Sequence, residues 1–310
     1  MKNDFIKSPL NYTGGKSKLL PQIYPLFPTE IGTFVDIFCG GANVGINIQA
    51  NHVIYNDNNQ YLMGLYKTFS KYDYEAIKKK TEKIIIEYGL SDSKKNGYAF
   101  YECESGSGLG SYNKEPYVKL RKAFNEKKRK DDSYYFYLFT LIVYCFNNQI
   151  RFNSKGEFNL PVGKRDFNSR TNENLKRFIE ALHAQDCDFL AKDFREIDLN
   201  SLKAGDFVYC DPPYLITTAS YNESNGWLPT DERDLLDYLD ALNSRGIQFA
   251  LSNVTKHKGR TNEILIQWAE KYNLHILNFN YNNSSYHGKN KEEATEEVLI
   301  TNYKTGGVNH

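Results

Sequence analysis

The 310-residue sequence has only five cysteines and no Cys-x-x-Cys pair. An odd set without paired spacing argues against a disulfide framework and against a zinc site, so reduced thiols in a cytoplasmic, intracellular protein with no metal are expected. Long apolar runs are also missing. The longest, Tyr134 to Phe146, falls short of the roughly 20 residues of a membrane span, and the opening Met1-Lys2-Asn3-Asp4 has no apolar signal segment. No internal repeat is visible, and low-complexity sequence is confined to the last few residues. Nor is there an excess of one charge, the formal net value being +1.

Charge becomes informative once it is localised. Between Lys119 and Arg177 there are 14 Lys and Arg against 6 Asp and Glu. The run Glu126 to Lys130 alone reads equally well as a solvated helix face. The excess continues, however, into an expected hairpin, Arg151 to Arg165, turning at Ser154-Lys155-Gly156 and carrying Asn, Gln and aromatic residues. That mixture suits phosphate anchoring together with base-edge contact.

Around this basic middle the sequence alternates strands and helices. The apolar run Gly32 to Phe38 ends in a Gly-rich turn, Cys39-Gly40-Gly41-Ala42-Asn43, followed by a helix-like stretch, Val44 to Ala50. A second run, His52 to Tyr55, ends at Asn56-Asp57. Strand, turn, helix, strand and acid open a doubly wound α/β sheet. Alternation resumes with strand Phe207 to Cys210, helix Thr230 to Ser244, strand Ile247 to Ser252, helix Thr261 to Tyr272, and strands His275 to Phe279 and Val298 to Thr301. The expected organisation is a discontinuous α/β domain, 1–59 and 183–310, with a mainly helical module inserted at 60–182. That module includes a Gly/Ser loop at Ser105 to Ser111.

Three segments carry chemistry. Asn11-Tyr12-Thr13-Gly14-Gly15-Lys16-Ser17 ends like a phosphate-binding loop, but Leu10 stands where that motif needs glycine and no strand clearly precedes it. Its glycines can still bring backbone close to a small anion, and a carboxylate would suit Lys16. In the second segment Asp36, Phe38 and Gly40 lie at the end of the first strand, and Asp57 follows the turn by about 20 residues, the spacing of an acid that hydrogen-bonds ribose hydroxyls. Gly40, Gly41 and Gly45 do not match the G-x-G-x-x-G of a dinucleotide site. The segment therefore fits a nucleoside cofactor of open identity, or a strand-turn-helix with no ligand.

The third segment, Asp211-Pro212-Pro213-Tyr214, directly follows a strand, where open α/β sheets bind ligands. Two prolines remove two backbone donors, leaving the Asp211 carboxylate and the Pro212 carbonyl as acceptors beside the flat face of Tyr214. An amine conjugated to an aromatic ring is a poor nucleophile because its lone pair is delocalised. Two acceptors holding its N–H groups favour a pyramidal nitrogen whose lone pair points at an electrophile.

In this order, the three motifs resemble the Dam-type (D12 class, α order) DNA adenine-N6 methyltransferases, from about Leu10 to Tyr303. The match looks closest to the T-even phage Dam branch at Phe207 to Tyr221, Ile247 to Val254 and Asn147 to Arg165. The resemblance implies a Rossmann-like sheet binding S-adenosyl-L-methionine across its carboxyl edge. Tyr12 and Lys16 would lie near the methionine end, Phe38 and Gly40 at the turn, Asp57 at the ribose, and Asp193 and Phe194 at the cofactor adenine. Asp211, Pro212, Pro213 and Tyr214 would hold an adenine flipped out of double-stranded DNA. Arg151 and Arg165 would read outer G·C pairs, with Asn147, Gln149, Asn153 and Pro161 on the same hairpin.

Two departures stand out: Asn11 replaces a Lys usual in bacterial Dam enzymes, and Gln149 replaces an apolar wedge. GATC is the leading target, with another short adenine-containing site as the alternative. No role is assigned to the Asn/Ser/Lys-rich loop 281–293, and a monomer is expected. A cytosine-N4 methyltransferase would share the amine chemistry but commonly has Ser at the Asp211 position. A nicotinamide oxidoreductase fails on glycine spacing, and a catalytically silent DNA-binding protein is disfavoured by the intact Asp-Pro-Pro-Tyr.

Overall fold

The computed structural model describes residues 4–12, 14–103, 108–217, 226–278 and 295–305. Loop 281–293, part of the Gly/Ser loop and residues 218–221 of one resembling segment lie outside them. The strands are β1 (Thr33–Asp36), β2 (His52–Asn56), β3 (Cys187–Leu190), β4 (Phe207–Cys210), β5 (Gln248–His257), β6 (Arg260–Thr261), β7 (Asn273–Leu277) and β8 (Glu296–Thr301). They form one sheet in the order β3-β2-β1-β4-β5-β8-β7, with β6 paired to β5. The first five strands in that order run parallel, while β8 is antiparallel to both its neighbours. This is the doubly wound α/β sheet expected, with an antiparallel β8 added to it, and the order reverses between β1 and β4, its topological switch point.

The structure departs from the expected elements in several places, among them the helix expected over Thr261 to Tyr272, which is shortened to Glu263–Ala269 because Thr261 pairs in β6. The stretch after the Gly turn is a single 3-10 turn, Gly45–Asn47, rather than a helix. Tyr55 packs so closely there that a Cβ on Gly45 would come within 2.4 Å of its ring. Strand β3 was not anticipated, being four residues with one exposed and none fully buried. Strand β5 runs five residues past Ser252 and turns into β6 through Lys258 and Gly259. Both have positive φ, as a two-residue hairpin loop requires.

The helices are α1 (Leu20–Ile23), α2 (Gln60–Phe69), α3 (Tyr74–Tyr88), α4 (Ser93–Asn96), α5 (Gly110–Asn125), α6 (Asp132–Tyr144), α7 (Ser169–Ala184), α8 (Pro229–Ser244) and α9 (Glu263–Ala269). Local chemistry sets several boundaries. The side chains of Asn59, Asp73, Asp131 and Asn168 accept from first-turn N–H groups, satisfying donors that a helix start leaves orphaned. Gly89, in the left-handed region, ends α3.

Side-chain alternation sorts β4 between two faces. Phe207 and Tyr209 join a core with α2, α3, α5, α6 and α7, whereas Val208 and Cys210 join another with α8 and α9. Helices α2 to α7 all lie between β2 and β3, so the helical insertion shares a continuous core with one sheet face. From Leu138 to Tyr144 helix α6 is buried on all sides because it lies inside that core.

Candidate active site

A cavity of about 700 Å³ opens at the carboxyl ends of β1, β2 and β4. Asp211 leaves β4 directly into it. The Lys16 ammonium lies 2.8 Å from Asp211 Oδ1, and the Tyr214 hydroxyl donates to the same oxygen at 2.9 Å. Lys16 also donates to the Tyr214 hydroxyl and, at 3.1 Å, to the Gly14 carbonyl. The carboxylate expected opposite Lys16 is therefore supplied, in this structure, by the chain itself. Among the described residues no protein donor reaches Asp211 Oδ2. Burial raises the Asp211 carboxyl above its usual range, opposed by the Lys16 charge and by the hydrogen bonds from Lys16 and Tyr214.

Residues 4–12 reach this site because side chains of the Gly-turn region bind their backbone. Asn43 accepts from the Ser8 N–H, and Asn47 both accepts from and donates to Ile6. Among the described residues none before Gly14 lies in a strand, which counts against a phosphate-loop reading. Gly40 has a φ of +44°, and a Cβ there would stand 2.8 Å from the Tyr12 ring. Only glycine lets that ring lie on the turn.

The two acids of the turn differ in their bonding. Asp57, at the end of β2, accepts from the Gly40 and Asn59 N–H groups at 3.1 and 2.9 Å. Burial raises its pKa, and those two hydrogen bonds oppose the rise. Asp36 accepts from Gly45 through Oδ2, but its buried Oδ1 has no partner. Burial raises its carboxyl well above the ordinary range, and the Asp211 charge adds to this. An orphaned acceptor lining a cavity marks a place where a ligand or water donates.

On the far wall the Phe38 and Phe194 rings lie 5.6 Å apart. The Asp193 carboxylate is bound by Arg195, which also pairs with Asp231 and Asp234 and stacks 4.4 Å over Phe194. Every residue expected at the cofactor and in the catalytic corner lines this one cavity: Tyr12, Lys16, Asp36, Phe38, Gly40, Asp57, Asp193, Phe194 and Asp211 to Tyr214.

The hairpin residues divide. Arg151 lines the cavity, and its guanidinium binds the Asn159 side chain at 2.8 Å. Asn147, Pro161 and Arg165 are exposed, while Gln149 and Asn153 are half-buried; these five lie away from the cavity wall. The hairpin itself is held by two isolated bridges, Cys145 to Val162 and Phe152 to Phe158. Its turn closes with Gly156 donating to the Asn153 carbonyl. Asn11 donates to the Asn147 carbonyl at 2.8 Å, joining the N-terminal segment to the hairpin.

Sequence reasoning missed Trp227 and Arg195 on the aromatic wall, and Tyr61 and Phe152 stacked 3.7 Å apart on the insertion side. Trp227 and Tyr61 sit in no motif, so only the fold brings them to the site.

An open α/β sheet with a Gly turn, two acids and an acceptor-rich Asp-Pro-Pro-Tyr at its switch point is the arrangement of a Rossmann-like methyltransferase fold. The chain belongs to the D12 class N6 adenine-specific DNA methyltransferase family, whose profile matches residues 12–283. It is 45% identical to the type II methyltransferase M.FokI of Planomicrobium okeanokoites over 97% of this chain and 43% of that protein. Identity to the modification methylase StsI of Streptococcus sanguinis is 42%, over 98% of this chain and 44% of that protein. With the DNA adenine methylase of Escherichia coli K12 it is 25%, over 96% of both. The chain thus spans less than half the length of M.FokI and StsI. These relatives place it beside type II modification methylases rather than specifically in the T-even phage branch.

Proposed function

We propose that the chain transfers a methyl group from S-adenosylmethionine to N6 of an adenine flipped out of double-stranded DNA. The observation that carries this reading is the Asp211-Pro212-Pro213-Tyr214 corner opening into the same cavity as the Asp36 carboxyl with its unpartnered Oδ1, Asp57 and the Phe38–Phe194 wall. The donor set fits the cofactor: acids for an amino group and ribose hydroxyls, aromatic rings for a purine. When bound, the cofactor supplies an electrophilic methyl.

The chain's own residues do the rest. Tyr214 stacks the flipped base, whose unstacking costs about a few kcal/mol. Asp211 and the Pro212 carbonyl accept from the N6 amine and localise its lone pair, and the Lys16 charge favours the ionised form of Asp211 against the effect of burial. Catalysis here is positioning, with no covalent enzyme intermediate. The amine proton displaced on methylation leaves toward Asp211 or solvent.

Residues 60–182 serve as the target-recognition module. Arg165 and Arg151 contact guanines, a bidentate pair being worth roughly 1–3 kcal/mol of discrimination. Asn147, Gln149, Asn153 and Pro161 shape the hairpin's approach to the groove. GATC is the target read from the hairpin's resemblance to the phage branch. The relatives' names as modification methylases favour a restriction–modification role and leave room for another short adenine-containing site. Two duplexes differing only in GATC versus a scrambled site, incubated with labelled S-adenosylmethionine, test this. Transfer to GATC alone supports the assignment, whereas equal transfer to both overturns it and leaves the chemistry intact.

A further inference from the structure

We infer that Trp227 forms a wall of the site for the cofactor's purine, and that the buried carboxylate of Glu232 is the positioning residue that holds the indole there. The inference rests on the reading of the cavity as a nucleoside-cofactor site. The Trp227 ring lies 5.8 Å from Phe38, nearly perpendicular to it, and 5.9 Å from Phe194. With the 5.6 Å Phe38–Phe194 contact, three rings from separate chain segments close an apolar corner of the cavity. The rings touch one another, so a flat ligand packs against the corner's open side.

The indole is not placed by burial alone. Its N–H donates to Glu232 Oε2 at 2.6 Å. The other oxygen, Oε1, accepts from the Asn253 and Asn262 amides at 3.2 and 2.8 Å. Glu232 is 1% exposed. A carboxylate so deeply buried is costly unless fully hydrogen-bonded, and every donor here points to one orientation. Asn262 in turn caps α9 by accepting from the Leu265 N–H, so β5, α8 and α9 all fix the Trp227 ring. Trp227 is only half-buried, yet its N–H is held by a fully buried acid that three elements fix, so the ring keeps one orientation toward the cavity.

The sequence holds only two tryptophans. Trp268 sits on α9, with its N–H on Asp240 at 2.9 Å and its ring stacked on Phe249, which makes it an internal reference. Protein labelled with 5-fluorotryptophan gives two fluorine resonances, assigned with Trp227→Phe. Titration with S-adenosylhomocysteine is expected to move the Trp227 resonance saturably, at the affinity found by calorimetry, while Trp268 stays in place. Trp227→Ala is expected to weaken binding about tenfold, in keeping with aromatic stacking, and to raise KM for S-adenosylmethionine with kcat little changed.

Glu232→Gln sets an amide N–H₂ against groups that themselves donate. It is expected to displace the Trp227 resonance in the ligand-free protein and to weaken binding in the same direction. Calorimetric binding of S-adenosylhomocysteine with a stationary Trp227 resonance, and unchanged affinity in Trp227→Ala, would overturn the inference while leaving the cofactor reading in place. Absence of binding to the wild-type chain would overturn both.

Discussion

Lys16 and Asp211, 195 positions apart in the chain, meet as an ion pair at 2.8 Å, with the Lys16 side chain almost fully buried and that of Asp211 17% exposed on the cavity. The pair ties the N-terminal segment to the end of β4. Lys16 opposes the burial that raises the Asp211 carboxyl, so Lys16→Met removes the opposing charge and pushes that pKa further up. If the ionised form is the amine acceptor, the acid limb of the kcat profile moves to higher pH in Lys16→Met. Methylation rates measured from pH 5 to 9 check this; an unmoved limb would mean that Asp211 is not the titrating group.

Asp36 gives a stability prediction with a definite sign. Its folded pKa lies above the unfolded value, chiefly through burial. The folded chain therefore holds a proton that the unfolded chain releases, and stability falls as pH rises between those two values. Asp36→Asn removes this dependence. Its melting temperature should exceed that of the wild type at pH 8 by roughly 2–4 °C per 1 kcal/mol gained, and the gap should close toward pH 4. Affinity for S-adenosylhomocysteine should fall in the same variant.

Gly40→Ala is expected to damage the proposed nucleoside site specifically. The left-handed backbone costs a non-glycine residue roughly 1–2 kcal/mol, and the new Cβ meets the Tyr12 ring at 2.8 Å. Calorimetry should show weakened nucleoside binding, while DNA binding measured by anisotropy stays near wild type.

The hairpin predicts the opposite separation. A Cβ on Gly163 would stand 2.3 Å from the Cys145 carbonyl, so Gly163→Ala should pry the hairpin from the end of α6. DNA binding should be lost with cofactor affinity retained. Asn159→Ala removes the side-chain partner of the Arg151 guanidinium, leaving only its 3.4 Å bond to the main-chain carbonyl, and should reproduce part of the Arg151→Ala defect. Arg165→Ala should relax discrimination at one G·C pair by about 10- to 100-fold, the span of a bidentate contact.

The elements legible in sequence were those with strong local signals. Strand β4 reads directly, because Phe207 to Cys210 is an apolar run with a Pro-Pro stop one residue beyond. The Gly turn and Asp57 read from spacing. Strand β3 did not, since Cys187-Asp188-Phe189-Leu190 has no alternation and becomes a strand only by pairing with β2. The pairing of Lys16 with Asp211 and the arrival of Trp227 at the Phe38–Phe194 wall are long-range consequences of the sheet order. The short bridges of the hairpin reflect its dependence on α5: Tyr117 and Arg121 donate to the Leu160 carbonyl, and Asn125 pairs with the Phe158 backbone.

The role proposed for Asp211 is acceptor of the adenine N6 amine. The direct test compares wild type and Asp211→Ala on an adenine-containing duplex, quantifying N6-methyladenine in the digested product by mass spectrometry, with S-adenosylhomocysteine binding measured on both proteins. N6-methyladenine is expected from the wild type, and its loss by at least about a hundredfold in Asp211→Ala with nucleoside binding retained, as for removal of a transition-state hydrogen-bonding group. Full methylation by Asp211→Ala, or a methylated cytosine in place of N6-methyladenine, would contradict it.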